Sequence, residues 1–249
     1  LDNSLDKKVA VVIGGTGGIG AAVARQLAAA GATLIVCGHG DLSAAQAVVD
    51  TLVGTDHIAA TAALVDSATL TALAEQARSV FGRADILVNA AGFTRPVPHH
   101  DLEMLDDDLI DEIMRINWRA QFAAIRAFRG LLEASGEGLV VNLSSVSAAT
   151  GQGSNIAYCA AKAGLDVMTV ALARALAPKI RILNVSPGVV DTSFVPGRGA
   201  DFNDKVAAST PLARIGTPED IAAAVTACAT HLTFSTGVNI VVDGGRQLK

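Results

Sequence analysis

The sequence predicts an α/β protein: a single-domain, Rossmann-like, doubly wound parallel sheet of about seven strands flanked by helices. Three observations carry this. Short β-branched runs alternate with longer Ala/Leu-rich helical stretches along the whole chain. The strand runs are mainly apolar, "KVAVVIG" reading as a buried strand, as expected of a parallel sheet with helices on both faces. A glycine-rich turn joins the first strand to the first helix.

The elements follow in order. "KVAVVIG" (8–14) is a buried strand, and 19–31 is a helix ending at Gly31. "TLIVCG" (33–38) is the second strand, followed by a helix over 42–53. The third strand is expected over 57–65, with Asp66 capping the helix "SATLTALAEQARSVF". "ADILVNAAG" (84–92) is the fourth strand, and one long helix is expected through about 106–133. "LVVNLSS" (139–145) is the fifth strand, before a second long helix over about 156–177. "IRILNVSPG" (180–188) is the sixth strand. A Pro/acidic start opens the helix over 217–231, and "GVNIVVDGG" (237–245) is the last strand. No linker, charge block or low-complexity segment interrupts the 249 residues, so one domain over 1–249 is expected.

Composition narrows the partners. The chain is 51% hydrophobic but only 4% aromatic, which suits close packing of Ala- and Val-rich helices on a sheet. Its net charge is -5 and no segment is strongly basic, so a nucleic-acid partner is not expected. Cys37, Cys159 and Cys228 are scattered without disulfide or metal-ligand spacing, which suits a reducing cytoplasm. The first residues show no secretory signal pattern, and no 18-residue apolar run free of charge or glycine predicts a membrane span. His99 and His100 stand without an acidic or thiol cluster, so no metal site is expected there.

"VVIGGTGGIGAAV" places glycines where a strand turns into a helix. There they let the backbone approach a pyrophosphate, while the helix N-terminus offers free N–H groups. Three registers fit: Gly15/Gly17/Gly20, Gly14/Gly17/Gly20 and Gly14/Gly18/Gly20. The second strand ends "CGHGD", where a dinucleotide site would place a carboxylate for the ribose hydroxyls. Cys37, Gly38 and His39 are not acids, and Asp41 lies where the next helix starts. The missing carboxylate removes repulsion against a 2′-phosphate that a protonated His39 would attract, so the reading is NADP(H) or NAD(H), leaning to NADP(H).

Further motifs then stand in order. "NAAG" (89–92) follows the glycine loop, and Asn117 lies in the long helix. Ser145 precedes Tyr158, the chain's single tyrosine, and Lys162 comes one helical turn later. "SPG" (186–188) leads to Thr192, and "VDGG" (242–245) comes last. The ordered set, covering nearly the whole chain, resembles the short-chain dehydrogenase/reductase family in its branch of about 250 residues.

The resemblance implies an enzyme that interconverts a secondary alcohol and a ketone, with Asn117, Ser145, Tyr158 and Lys162 as catalytic residues. Tyr158 would be the general acid/base, Ser145 would bind the carbonyl oxygen, and Lys162 would hold the nicotinamide ribose. Asn117 would support a water-linked proton path from Lys162. The residues agree physically. Tyr158 and Lys162 share a helix face, and an ammonium beside a phenol favours the phenolate. The resemblance also implies cofactor contacts from Gly14, Thr16, Gly17, Gly18, Ile19, Gly20, Gly38, His39 and Leu64. It adds Asn89, Ala90, Ala91 and Gly92, then Pro187, Gly188, Val190 and Thr192, with Val189 beside them. Three positions depart from the family pattern: Ile13 for its usual Thr, Ala90 for its second Asn, and Ala63 for the Asp at the third strand's end.

"SFVPGRGADFNDKVAAS" (193–209) reads as a mobile substrate lid, with "GQGSN" (151–155) and "FTRPVPHH" (93–100) as further pocket walls. Phe93, Val189, Phe194 and Val195 suggest a partly apolar site; Arg95 and Arg198 are read as solvated surface residues, with pairing to an anionic substrate as the alternative. The family implies a homo-oligomer, a tetramer or else a dimer, packed through the two long helices. Two alternatives compete: a non-catalytic dinucleotide-sensing regulator on the same fold, and a nucleotide-sugar epimerase or dehydratase suggested by the Gly14/Gly17/Gly20 register.

Overall fold

A computed structural model describes residues 4–197 and 201–248. Seven parallel strands form one sheet in the order β3-β2-β1-β4-β5-β6-β7. They are β1 Val9–Ile13, β2 Thr33–Gly38, β3 Ile58–Thr61, β4 Ile86–Asn89, β5 Gly138–Leu143, β6 Ile180–Pro187 and β7 Asn239–Val242. The helices are α1 Gly18–Ala29, α2 Leu42–Val49, α3 Ser67–Phe81, α4 Asp107–Met114, α5 Ala120–Ala134, α6 Ser147–Thr150, α7 Ile156–Leu176, α8 Phe202–Ser209 and α9 Pro218–Thr230.

The run of apolar residues in β1 has a simple cause. Ala10 and Val12 enter the core with Leu27 of α1 and Ile221 and Val225 of α9. Val11 and Ile13 enter the opposite core with Leu70, Phe128 and Leu165. Alternate side chains leave a strand on opposite faces, so a strand between two helical layers favours apolar residues on both, and all five residues of β1 are apolar. β7 lies at the sheet edge, where its residues alternate between exposed and half-buried.

Several helix starts follow the capping rules. Asp66 accepts a hydrogen bond from Ala68 N (2.9 Å), and Thr217 with Asp220 forms a capping box before Pro218. Asp41 accepts from Ser43 N (2.8 Å), so the nearest acid beyond β2 serves as the α2 cap.

Two expectations need correction, and one helix invites a membrane reading that its packing answers. The third and last strands are shorter than predicted, because backbone pairing stops at Thr61 and Val242. The long helix over 106–133 is interrupted by a π-helical turn at Arg115–Arg119. Asn117 lies in that turn and donates to Ile113 O (3.0 Å) and Phe93 O (2.7 Å), tying the helix to the loop after β4. Finally, α7 is long and apolar enough to cross a membrane by length and hydropathy. Half of that segment is buried, however, and it packs between α4 and the sheet as a core helix.

Candidate active site

The strand order reverses between β1, which leads to β2, and its other neighbour β4. Beyond the C-terminal ends of β4, β5 and β6 lies a cavity of about 610 Å³. This is where parallel α/β sheets bind ligands, since strand ends and helix N-termini converge there.

Tyr158 is placed by Asn155. The Asn155 side chain caps α7 by accepting from Tyr158 N (2.7 Å), while its own amide donates to Arg95 O (2.8 Å). Asn155 is fully buried, so it fixes both the start of the helix and the loop across the cavity. From the sequence Asn155 is expected only in a pocket wall, within "GQGSN". The available signal was an Asn three residues before the tyrosine, the spacing of an N-cap.

Tyr158 and Lys162 come four residues apart on α7 and both face the cavity, as does Ser145 after β5. The Lys162 Nζ lies 5.6 Å from the Tyr158 ring centroid and donates to Leu143 O at 2.6 Å. Ser145 Oγ accepts from Ser147 N (3.1 Å), which fixes the hydroxyl on the wall. Phe194 covers the tyrosine, with ring centroids 6.1 Å apart.

Electrostatics correct one expectation. The Tyr158 phenol is not lowered in the protein alone. Burial pushes it up to about 12, partly offset by the hydrogen-bonding contribution of Ser145. Burial also draws Lys162 down to about 8, opposed by the negative charge of Asp166 one turn further along α7. Asp166 was not singled out by the sequence. Its carboxyl is raised mainly by burial, against hydrogen bonds donated by Ser144 Oγ (2.5 Å), Asn184 Nδ2 (2.7 Å) and Asn239 Nδ2 (3.0 Å).

That cluster continues into the sheet. Asn89, Asn142, Asn184 and Asn239 stand in register across β4, β5, β6 and β7. Asn89 Nδ2 donates to Asn142 Oδ1 (2.8 Å), and Asn142 donates to Thr169 Oγ1 (3.0 Å). Asn89 is therefore buried in the sheet rather than placed on the cavity wall, whereas Ala90, Ala91 and Gly92 line the cavity. Asn117 is likewise absent from the wall, and its amide is committed to Phe93 and Ile113. A side chain at Gly92 would meet Asn117 Oδ1 at 2.9 Å, so the Gly92 backbone lies directly on that amide.

The glycine loop shows which register matters sterically. Gly14 has φ +83°, and a Cβ there would lie 2.5 Å from Ala91 N. A Cβ on Gly20 would run into Gly14 O, and one on Gly18 would press on Thr192 Cγ2 at 3.0 Å. Gly17 has space, since its Cβ would find only Gly14 O at 3.6 Å. Gly15 is crowded too, with Val36 Cγ1 at 2.7 Å, so Gly14/Gly18/Gly20 is the one of the three registers that avoids the roomy Gly17. Gly17 is the N-cap of α1 and offers no capping side chain, so first-turn N–H groups remain for an anion. This cradle fits a dinucleotide pyrophosphate.

The other predicted contacts are distributed unevenly. Ile19, Pro187, Gly188, Val189, Val190 and Thr192 line the cavity. Thr16 packs against Gly38, and His39 is exposed past the end of β2. Leu64 is half-buried in a turn against the α3/α5 core. Arg95 is exposed, pairs with Asp106 at 3.7 Å and does not reach the cavity; Arg198 lies outside the described residues. Wall residues not expected from the sequence include Leu143 and Ser144 at the end of β5, and Arg246 and Gln247, which the turn after β7 carries back over the site.

Residues 14–247 match a family model described as enoyl-(acyl carrier protein) reductase, a short-chain dehydrogenase/reductase model. The chain belongs to the short-chain dehydrogenase/reductase family. Among its relatives, the cis-4-hydroxycyclohexanecarboxylate dehydrogenase of Sinomonas cyclohexanicum is 36% identical, over 96% of each chain. The 3-oxoacyl-acyl-carrier-protein reductase of Escherichia coli is 32% identical, over 98% of this chain and 99% of that protein. A double-mutant short-chain dehydrogenase/reductase of Serratia marcescens superposes with a TM-score of 0.87 at 32% identity, covering 98% and 99% of the two chains. As a short-chain dehydrogenase/reductase, this protein is an NAD(P)(H)-dependent oxidoreductase of alcohols and ketones. The dinucleotide-sensor and epimerase readings gain nothing from these relatives.

Proposed function

We propose that the protein reduces a ketone, or oxidises the matching secondary alcohol, with Tyr158 as general acid/base and NADP(H) favoured over NAD(H). The observation that carries this reading is that Ser145, Tyr158 and Lys162 line one cavity together. A nicotinamide dinucleotide bound along the Gly14/Gly18/Gly20 cradle would supply or accept the hydride.

The chain's own residues do the rest. In reduction Tyr158 must be protonated, and burial keeps it so across neutral pH. It gives that proton to the carbonyl oxygen, general-acid help typically worth ~10²–10⁴-fold. Ser145 donates to the same oxygen and stabilises its developing charge. Lys162 contributes an ammonium whose field favours the phenolate left behind. Asn117 is a positioning residue in this scheme, because its amide holds Phe93 and so the loop beside Gly92.

Exposed His39 past β2, with Asp41 withdrawn into the α2 cap, supports the lean to NADP(H). Segment 193–209 is read as the substrate lid: Phe194, Val195 and Phe202 already line the cavity. A homo-oligomer, tetramer or dimer, would cover the exposed Val167 and Val170 of α7. Cytoplasmic residence suits the three buried free thiols. The relatives' substrates differ, so the ketone is left to the assay.

That assay is reduction of a ketone panel with NADPH and NADH, run beside Tyr158→Phe. Turnover that falls by about 10²-fold or more in the variant, with cofactor binding retained, supports the mechanism. Full activity of Tyr158→Phe would overturn it. Cofactor binding without turnover of any ketone would revive the sensor reading.

A further inference from the structure

We propose that Arg246 makes this enzyme selective for substrates that carry a carboxylate, holding that group at the wall formed by the C-terminal turn and α8. The inference rests on the oxidoreductase reading above and names the substrate class for the same cavity.

The described residues lining the cavity include two cations, Lys162 and Arg246, and no aspartate or glutamate. Lys162 is engaged with Leu143 O beside the tyrosine. Arg246 has no carboxylate partner among the described ion pairs. A concave site lined by one sign of charge focuses its potential and concentrates the opposite ion.

Arg246 is half-buried and lies just after the Gly244–Gly245 pair, both at positive φ. Asp243 fastens that turn by accepting from Gly245 N and Gln247 N, each at 2.8 Å. The Arg246 Nη1 donates to Ser209 Oγ at 2.9 Å, so the last residue of α8 holds one arm of the guanidinium. A guanidinium has five donors in a planar fork, which matches a carboxylate with two parallel hydrogen bonds. The Gln247 amide stands beside it on the wall. Apolar Phe194, Val195 and Phe202 supply the remaining contacts for a carbon skeleton between the carboxylate and the reacting carbonyl. The cofactor does not need Arg246, because the α1 N-terminus and its glycine cradle already provide for the pyrophosphate.

The test compares matched acids and methyl esters: acetoacetate, levulinate and 5-oxohexanoate, each against its ester, with NADPH and NADH. For at least one chain length, wild-type kcat/KM should favour the acid by roughly 10- to 100-fold, the worth of a charge-assisted hydrogen bond. In Arg246→Gln the acid-to-ester ratio should fall towards one through KM for the acid, and Arg246→Lys should recover part of it. Equal use of acids and esters by the wild-type enzyme at every length would overturn the proposal while leaving the oxidoreductase reading intact. So would an Arg246→Gln variant whose loss lies in KM for the dinucleotide, which would assign the guanidinium to the cofactor. If acetoacetyl-coenzyme A is preferred over acetoacetate and its N-acetylcysteamine thioester, the anion read is a phosphate outside the reacting acyl group, and the carboxylate assignment falls. If none of these compounds is turned over, thermal melting of the NADPH-loaded protein decides. Stabilisation by levulinate over methyl levulinate that disappears in Arg246→Gln supports the site; equal midpoints overturn it.

Discussion

Replacing Asp166 by Asn should move the basic limb of ketone reduction to lower pH. Asp166 follows Lys162 by four residues on α7, and its charge opposes the lowering that burial imposes on the lysine. Residues at this spacing have Cβ atoms about 5–6 Å apart. For charges about 6 Å apart, Coulomb's law gives about 3 kcal/mol at an effective dielectric of 20 and about 0.7 kcal/mol in water. Asp166 is half-buried. An intermediate value of about 1.4 kcal/mol is therefore appropriate, which is about one pKa unit. Lys162 starts at about 8, so removing the carboxylate should carry it towards neutrality. Tyr158, pushed up to about 12, stays protonated throughout and cannot set that limb.

The sign follows directly. Above its pKa Lys162 loses the charge that supports the phenolate, so activity falls as pH rises through that value. In Asp166→Asn the fall should begin about one unit earlier. The assay is kcat for reduction from about pH 6 to 9.5 at saturating cofactor, with melting curves for both proteins as a folding control. The substitution is nearly isosteric, and Asn239 can turn its amide to accept from the new NH₂ group. An unmoved limb would refute the electrostatic coupling. A wild-type limb near the phenol range would show that Lys162 does not control the rate.

Other predictions follow from the cradle, the core and the ribose end. Gly20→Ala should abolish dinucleotide binding or folding because its Cβ runs into Gly14 O, whereas Gly17→Ala has room and should stay within a few-fold in cofactor Kd by fluorescence titration. Equal losses in the two variants would contradict the steric register. Phe128→Ala, at a fully buried position, should cost about 3–5 kcal/mol, seen as a drop of roughly 6–20 °C in calorimetry. If exposed His39 holds a 2′-phosphate, His39→Ala should weaken NADPH binding several-fold and leave NADH binding unchanged. The same change for both cofactors would remove that role.

The strands of the buried sheet were legible because burial on both faces favours runs of apolar residues, as Val9–Ile13 shows, even where a buried asparagine interrupts them as in β5 and β6. The interruption at Asn117 was not. Its π-turn exchanges regular helical bonding for side-chain bonds to Phe93, a loop 24 residues away, and helical periodicity carries no record of that partner. That Tyr158 and Lys162 share a helix face was readable from their four-residue spacing, but reading them as a catalytic pair needed Ser145, Asn117 and the glycine loop standing in order with them.

What the sequence determined by itself, then, was the order of elements, the family and the residues whose spacing is local. Only the tertiary structure decided which of the crowded glycines touch backbone. It also showed that the asparagines of four separate strands meet in register, and that burial rather than the nearby ammonium sets the Tyr158 phenol. Arg246 is the clearest case. It follows β7, over 80 residues beyond Tyr158 in the chain, yet shares its cavity wall. Desolvation and contact across the sheet depend on distances through space, and a spacing rule along the chain cannot contain them.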